Sequence, residues 1–259
     1  MCLIVFAYKF HQKYKLILAS NRDESYNRPT QDAHLWNTNP VIVAGKDLDF
    51  GGTWLGVNEK GHFSAVTNYR KFPVSQEKKL SRGFLITDFL LGNNSPESYL
   101  KNIDAKSDSY NGFNLLAGDF EKLFYYSSNE KLIRELTPGL YGLSNHLLDT
   151  PWPKVEFAKE KLKDIISQDN FTEEEIFEFL KSGQIYPDEL LPDTGIGINM
   201  ERVLSSPFIK SQSYGTRCSN IVMIDYDNNI NFIEQVYLPE NITGNRNQFK
   251  ITFPEKPAR

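Results

Sequence analysis

Apolar residues near the start of the chain fall into two short runs divided by a polar turn. Residues 2–9 and 14–20 are rich in Leu, Ile, Val, Phe and Tyr, and the four residues between them suit a hairpin. The same arrangement recurs in three later pairs of runs, at 54–58 with 62–68, 113–118 with 123–127, and 221–226 with 230–238. Successive hairpins predict antiparallel sheet, because parallel strands need long crossover connections.

Helical spacing of apolar residues predicts three helices in the middle of the chain, over 80–91, over 155–166 and from 171 onward. In the third, Thr172 and Glu175 form a capping box at the start of the helix, and Gly183 is placed to end it. The following residues, 188–213, are rich in Pro, Gly and Ser and predict a long loop.

The first strand is apolar on both faces. Ile4 and Phe6 lie on one face of it, and Leu3 and Val5 lie on the other. An antiparallel strand with one face in water should instead alternate apolar with polar residues. Two stacked antiparallel sheets with helices outside satisfy this pattern. Since no domain boundary is visible, residues 1–259 are predicted to form one α+β domain.

Composition and charge narrow the function mainly by exclusion. A net charge of −4 argues against a nucleic-acid binder, and no apolar run is long enough to span a membrane. Two cysteines, Cys2 and Cys218, do not make a disulfide framework, and no signal-peptide pattern precedes them, so a cytoplasmic location is predicted. The histidines lack metal-ligand spacing and no phosphate-binding loop occurs, so neither a metal nor a cofactor is expected.

The first hairpin brings the chain start beside the motif Asn21-Arg22-Asp23-Glu24. If Lys9 pairs with Tyr14, the paired residue numbers sum to 23 and Cys2 faces Asn21. A register shifted by one residue sets Cys2 opposite Arg22. In either register an arginine lies near a thiol, and a guanidinium favours the reactive thiolate.

The hairpin alone admits two interpretations of Cys2. If Met1 is removed, Cys2 carries an α-amine that can act as the base for its own thiol, so no histidine is required. On spacing alone the simpler interpretation is structural. Cys2 is then a small buried hydrophobe, and Arg22 with Asp23 is an ion pair that caps a strand end.

Six short motifs favour the first interpretation. They are Met1-Cys2-Leu3, Asn21-Arg22-Asp23-Glu24, Gly51-Gly52-Thr53-Trp54-Leu55-Gly56, Thr67-Asn68-Tyr69-Arg70, Gly142-Leu143-Ser144-Asn145 and Tyr214-Gly215-Thr216-Arg217. As an ordered set they resemble the signature blocks of the NRDE family, which includes the transport and Golgi organisation 2 proteins. That family is in turn similar to cysteine-type N-terminal-nucleophile (Ntn) hydrolases, such as bile-salt hydrolases and penicillin V acylases. The resemblance implies a four-layer αββα sandwich.

The resemblance also implies roles for individual residues. Cys2 would attack an amide carbonyl, Arg22 would support the thiolate, and Arg217 would be a second site arginine. Asn145 would donate to the oxyanion, and Asn68 would lie near the second donor. The acylases place an aspartate three residues after the arginine, where this chain has Ser25, so the adjacent Asp23 is the catalytic candidate for the role at the α-amine. The candidate substrate-binding residues are Asn21, Trp54, Asn68 and Tyr69.

Each carried-over residue also has a structural interpretation. Asn68 and Asn145 suit turns, and Arg217 suits a salt bridge at a strand end. Trp54 suits the core, and Cys218 is predicted to be structural.

Three functions follow from the resemblance. The first is an amidohydrolase that acts on a small non-peptide amide. The second is a non-catalytic carrier of an apolar anionic ligand, since family members are linked to haem trafficking and to lipid or acyl-CoA handling. The third is a Golgi or secretory organisation factor that acts through protein contacts. The sequence leaves the substrate and the oligomeric state open.

Overall fold

The computed structural model describes residues 3–70, 79–239 and 242–252, and within them the strands form two antiparallel sheets. The first sheet contains β1 (Leu3–Tyr8), β2 (Tyr14–Ser25), β10 (Gly139–Leu143), β11 (Tyr214–Asp225), β12 (Ile230–Tyr237) and β13 (Thr243–Ile251). The second contains β3 (Thr30–Trp36), β4 (Ile42–Asp47), β5 (Leu55–Asn58), β6 (Phe63–Asn68), β7 (Phe113–Gly118), β8 (Leu123–Ser127) and β9 (Leu132–Glu135). The strand order is β10-β1-β2-β11-β12-β13 in the first sheet and runs in chain order from β3 to β9 in the second.

Helices cover the outer face of each sheet. They are α1 (Phe84–Leu91) and α2 (Pro96–Asp104) on the second sheet, and α3 (Pro153–Ile166) and α4 (Glu173–Leu180) on the first. A further helix, α5 (Ile198–Ser205), follows them in the chain. One apolar cluster lies between the sheets, a second joins the first sheet to α3 and α4, and a third joins the second sheet to α1 and α2. These layers are the predicted αββα sandwich. No helix in the described ranges is long and apolar enough to cross a membrane.

Strand β1 is buried on both faces, as its sequence predicts. Ile4 and Phe6 point into the cluster between the sheets, whereas Leu3 and Val5 point into the cluster beneath α3 and α4. The four predicted hairpins are present as the pairs β1–β2, β5–β6, β7–β8 and β11–β12. The second sheet covers one face of β1 and the helices α3 and α4 cover the other, so neither face is in water.

Strand β2 runs five residues beyond the predicted end and carries the Asn21–Glu24 motif inside the sheet. It pairs with β11 from end to end, from Tyr214 opposite Ser25 to Asp225 opposite Tyr14. A polar sequence is therefore held as strand because β11 supplies backbone partners along its whole length. Propensity alone gives no sign of this extension.

The helical predictions are partly right. The capping box of Thr172 and Glu175 is confirmed at the start of α4. Gly183 as the helix end is wrong, because α4 ends at Leu180 and Lys181 caps it with a negative φ that needs no glycine. The predicted loop 188–213 is also wrong in part, since α5 lies within it and is held by a buried side chain, Glu201.

Candidate functional site

The register of the first hairpin is the second of the two alternatives. Leu3 pairs with Asn21 and Tyr8 with Leu16, so the paired residue numbers sum to 24. On its other side, β1 pairs with β10, where Ile4 lies opposite Leu143. Asn145 follows the end of β10 closely. The start of β1 therefore lies between two predicted site motifs. Cys2 itself lies outside the described residues.

Arg22 points between the two sheets and is nearly inaccessible to solvent. Its guanidinium lies over the ring of Trp54, 4.1 Å from the ring centroid, and donates to the Thr30 hydroxyl at 3.2 Å. Trp54 comes from the opposite sheet and is buried, with its indole nitrogen 3.4 Å from the Asn220 side-chain oxygen. The cation is thus held by an aromatic face and a hydroxyl.

Asn21 and Asp23 point the other way, because successive side chains of a strand alternate between its faces. The Asn21 amide donates to the carbonyls of Leu180 and Pro207, both at 2.8 Å, and its oxygen accepts from Ser219 at 2.6 Å. These bonds use the amide to tie β2 to the helical layer. A part for Asn21 in substrate binding stays a prediction.

The Asp23 carboxylate is buried on this same face, where it accepts from the Thr216 hydroxyl at 2.6 Å. It neither shares a face with Arg22 nor forms the ion pair that the sequence suggests. Alternation instead puts Glu24 on the side of Arg22. The bond to Thr216 joins β2 to β11, and the catalytic role of Asp23 stays a prediction.

Asn145 is fixed at both ends of its side chain. Its amide nitrogen donates to the backbone carbonyl of Asn68 at 3.1 Å, and its amide oxygen accepts from the guanidinium of Arg70 at 3.2 Å. The Arg70 guanidinium is paired with the buried Glu201 carboxylate at 3.1 Å. The orientation of the amide is thereby set, with the nitrogen directed toward the Asn68 strand end. An oriented N–H donor, such as this amide nitrogen, is what an oxyanion site requires.

Arg217 is engaged with the turn after β2. Its guanidinium donates to the carbonyls of Ser25, Tyr26 and Arg28 at 2.8 to 3.4 Å. Burial lowers the pKa of Arg217, and the nearby cation Arg22 lowers it further. Arg217 is therefore close to Arg22, and its hydrogen bonds hold the turn. Among the residues that the structure describes, it forms no salt bridge of the kind considered above.

Cys218 lies opposite Arg22 in the pairing of β2 with β11, and it is buried in the cluster between the sheets. Burial raises the pKa of its thiol well above the ordinary value. The Asn220 side chain, which contacts Trp54, donates to the buried Glu234 carboxylate at 3.2 Å. Glu234 in turn accepts from the backbone of Ala33 in the other sheet at 2.5 Å. Sequence reasoning gave Glu234 no role, since a lone acid in an apolar strand carries no motif.

A cleft of about 260 Å³ opens beside Arg22, Trp54 and Asn68. Its charged lining comprises four cations and two acids among the described residues, namely Arg22, Arg28, Lys79, Arg82, Glu24 and Asp47. Arg28 and Asp47 form a salt bridge at 2.7 Å, so the remaining charge is positive. We call this space the cationic cleft. Of its lining, Arg28, Lys79 and Arg82 lie outside the recognised motifs and were not predicted.

Close packing of two glycines shapes one wall of the cationic cleft. A Cβ atom on Gly52 would lie 2.6 Å from the backbone carbonyl carbon of Gly83, which is too close for any side chain. Gly83 is the residue that precedes α1. The Gly51-Gly52 motif therefore allows the start of α1 to sit directly on the segment that leads into Trp54.

Tyr69 lies outside the cationic cleft. It lines a second, larger cavity of about 640 Å³ together with Arg70, His146 and Trp152. The Tyr69 hydroxyl lies 3.1 Å from the His146 ring nitrogen Nε2. We call this space the aromatic cavity. Its further walls are Asn129 and residues 192–195. Tyr69 is thus separated from Trp54 and Asn68, with which the sequence grouped it.

The profile of the Transport and Golgi organisation 2 family matches residues 1–239. The chain belongs to this family. The bovine Transport and Golgi organization protein 2 homolog is 35% identical over 266 residues, which cover 94% of this chain and 95% of the bovine protein. The match to the Transport and Golgi organisation 2 family confirms the predicted NRDE resemblance.

In architecture, the chain resembles solved structures of Ntn hydrolases. Penicillin V acylase from Agrobacterium tumefaciens superposes with a TM-score of 0.55 and 12% identity, covering 97% of this chain and 86% of the acylase. A variant of the conjugated bile acid hydrolase from Clostridium perfringens superposes with a TM-score of 0.51 and 12% identity, covering 97% and 92%. At this identity the similarity concerns the fold.

Within the described ranges, no group of three or more His, Cys, Asp or Glu side chains is arranged to hold a metal ion. The groups that lie on the two sides of the start of β1 are instead the amide of Asn145 and the guanidinium of Arg22. Their chemistry is hydrogen-bond donation and positive charge.

Proposed function

We propose that this family member is an N-terminal-cysteine amidohydrolase that acts on a small non-peptide amide, with Cys2 as the nucleophile. The observation that carries the proposal is strand register. Continued by one residue, the pairing of β1 with β2 sets position 2 opposite Arg22, and the pairing with β10 sets it opposite Asn145. Position 2 would then lie in one row with an oxyanion donor and a cation.

The side-chain direction is consistent with that row. Even-numbered residues of β1, such as Ile4 and Phe6, point between the sheets, and so does Arg22. If the strand is continued by one residue, alternation would give position 2 the same direction. A thiol there would face a guanidinium in a water-poor setting, where a positive charge favours the thiolate more strongly than it does in water.

The reaction would run as follows for a chain from which Met1 has been removed. The α-amine takes the thiol proton, and the sulfur forms a bond to the amide carbon as the carbonyl becomes an oxyanion. Asn145 donates to that oxygen, since only one of its two amide hydrogens is used by Asn68. The C–N bond then breaks, and the amine leaves with the proton that the α-amine had taken.

Water completes the cycle by attacking the thioester. The α-amine accepts a proton from this water, the C–S bond breaks, and the acid product leaves while the thiol is restored. The two structures of similar fold are, by name, an acylase and a hydrolase, which supports this class of chemistry as a proposal.

Intact-mass measurement and amide turnover test the proposal together. We expect loss of Met1, an acyl adduct on Cys2 during turnover, and loss of turnover in Cys2→Ala. Cys2→Ser should keep a trace, because a hydroxyl ionises far less readily than a thiol. Penicillin V and a conjugated bile acid are the first probes to use. Turnover that persists in Cys2→Ala contradicts the nucleophile assignment.

A second candidate function is favoured by the charge of the cationic cleft. On this view the protein carries an apolar anionic ligand, of which haem and acyl-CoA are the examples that the family resemblance suggests, and the cations meet its carboxylates or phosphates. Cys2→Ala should then leave affinity for such a ligand unchanged, whereas Arg82→Gln should weaken it. Lys101→Gln is the control, because Lys101 is exposed on α2 and forms a surface salt bridge with Glu97, away from the lining of the cleft. A cytoplasmic location stays a prediction under both functions.

A further inference from the structure

The aromatic cavity is lined on one side by three rings. The centroids of Tyr69 and His146 are 5.1 Å apart, and those of His146 and Trp152 are 5.8 Å apart. Its volume of about 640 Å³ lies within the range of small-molecule sites. Trp152 is half-buried, whereas Trp36 and Trp54 are buried. The rings therefore form a wall with accessible faces.

The polar atoms of Tyr69 and His146 are bonded within the protein. The Thr150 hydroxyl donates to the Leu147 carbonyl at 2.8 Å, so its oxygen accepts from Nδ1 of His146 at 2.9 Å. This fixes the proton of His146 on Nδ1, and Nε2 accepts from the Tyr69 hydroxyl. Burial lowers the pKa of His146, so the ring is neutral. What the wall offers to a ligand is the ring faces.

The opposite wall is fixed by Glu201. Its buried carboxylate accepts from the backbone and hydroxyl of Thr194, at 2.9 and 2.5 Å, and from Arg70 at 3.1 Å. Arg70 lies over Trp152, 5.5 Å from the ring centroid, and its charge is balanced by Glu201. The cavity is therefore built before any ligand enters, and its one lining cation is already paired among the described residues.

The two spaces differ in charge and share a boundary. The aromatic cavity has Asp193 in its lining, and Glu130 acts on both His146 and Tyr69 through its charge. The cationic cleft, by contrast, favours anions. Asn145 lies between them, since its side chain binds Asn68 of the cleft and Arg70 of the cavity. A substrate amide held at Asn145 would extend one group into each space.

We propose that the aromatic cavity is the subsite for an aromatic ring of the substrate, stacked on the wall formed by Tyr69, His146 and Trp152. The substrate class is then an amide with an aryl group on one side and an anionic group on the other. The reaction of such a substrate rests on the proposed function, whereas the binding of its aromatic ring does not depend on turnover.

Calorimetric binding of two probes to the Cys2→Ala protein tests this subsite. Phenylacetylglycine and cyclohexylacetylglycine carry the same amide and carboxylate and differ only in the ring. We expect the phenyl probe to bind roughly two- to tenfold more tightly, because aromatic pairs gain beyond the area they bury. Trp152→Leu should remove that difference. Phe10→Leu should preserve it, since Phe10 is an exposed ring elsewhere on β1's turn.

The result that overturns the subsite is equal binding of the two probes, an unchanged preference in Trp152→Leu, or no binding of either at millimolar concentration. Hydrolysis is measured separately with unmodified protein and the phenyl probe. Ring-selective binding without hydrolysis would leave the subsite standing and contradict the amidohydrolase proposal. The two proposals can therefore fail independently.

Discussion

Arg70 binds Asn145 through both the backbone and the side chain. Its N–H donates to the Asn145 backbone carbonyl at 2.7 Å, and its guanidinium donates to the Asn145 amide oxygen at 3.2 Å. With Glu201 on its other side, the guanidinium serves two oxygens at once. This relationship makes Arg70 the positioning residue for the proposed oxyanion donor.

Arg70→Lys should therefore lower kcat more than it changes KM. A lysine ammonium lacks the planar fork that serves Asn145 and Glu201 together. Losing an oxyanion donor outright costs about a hundredfold or more in rate, so a misoriented donor should cost at least about tenfold. Glu201→Gln should act in the same direction with a smaller effect. Arg202→Lys is the control, because its pair with Asp188 is on the surface. An unchanged kcat with a raised KM would assign Arg70 to binding alone.

The two cysteines should differ in reactivity toward iodoacetamide. Burial raises the pKa of Cys218, and its thiol lies in the cluster between the sheets, so the native protein should protect it. We expect label on Cys2 in native protein and on both residues in urea, as read by peptide mass. Preferential labelling of Cys218 under native conditions would remove the basis for the site assignment.

Gly52→Ala should destabilise the fold by roughly 1–3 kcal/mol, which is typical of overpacking in a close contact. The new Cβ would meet backbone atoms of Gly83, which cannot move aside as a flexible side chain can. Gly183→Ala is the matched control, because a Cβ there meets no atom within 4 Å. Urea unfolding of the two variants measures the difference. Equal stability of the two would show that α1 shifts without cost.

His62 should make the fold less stable in mild acid. It stacks on Phe89 with ring centroids 4.7 Å apart, and burial lowers its pKa. The unfolded chain then takes up a proton below about pH 6.5 before the folded chain does, so the free energy of unfolding falls as pH drops through this window. His62→Gln should reduce that slope. Urea unfolding at several pH values between about 7 and about 5 tests it, and an unchanged slope counts against the assignment.

Much of the sandwich follows from local patterns. Four hairpins and the capping box are visible because each depends on a few adjacent residues. Strand β13 was missed, because its residues are partly exposed and polar and are held by pairing with β12. The length of β2 was also underestimated, for the same reason.

The site was predictable to a similar extent. Motif resemblance pointed to Arg22 and Asn145, which the structure brings to the two strands beside the start of β1. It could not tell that Asn21 and Asp23 face the helical layer, because adjacent motif letters say nothing of side-chain direction until the register is known. It also missed Glu201, whose partners Arg70 and Thr194 are far apart in sequence.

The contact between Arg22 and Trp54 joins one sheet to the other. A folding intermediate with both sheets formed but not yet docked would lack this contact, and its Arg22 would be solvated and mobile. Its charge would then be screened from any neighbouring thiol. On the proposed function, the charge that favours the thiolate would therefore be in place only once the two sheets have docked.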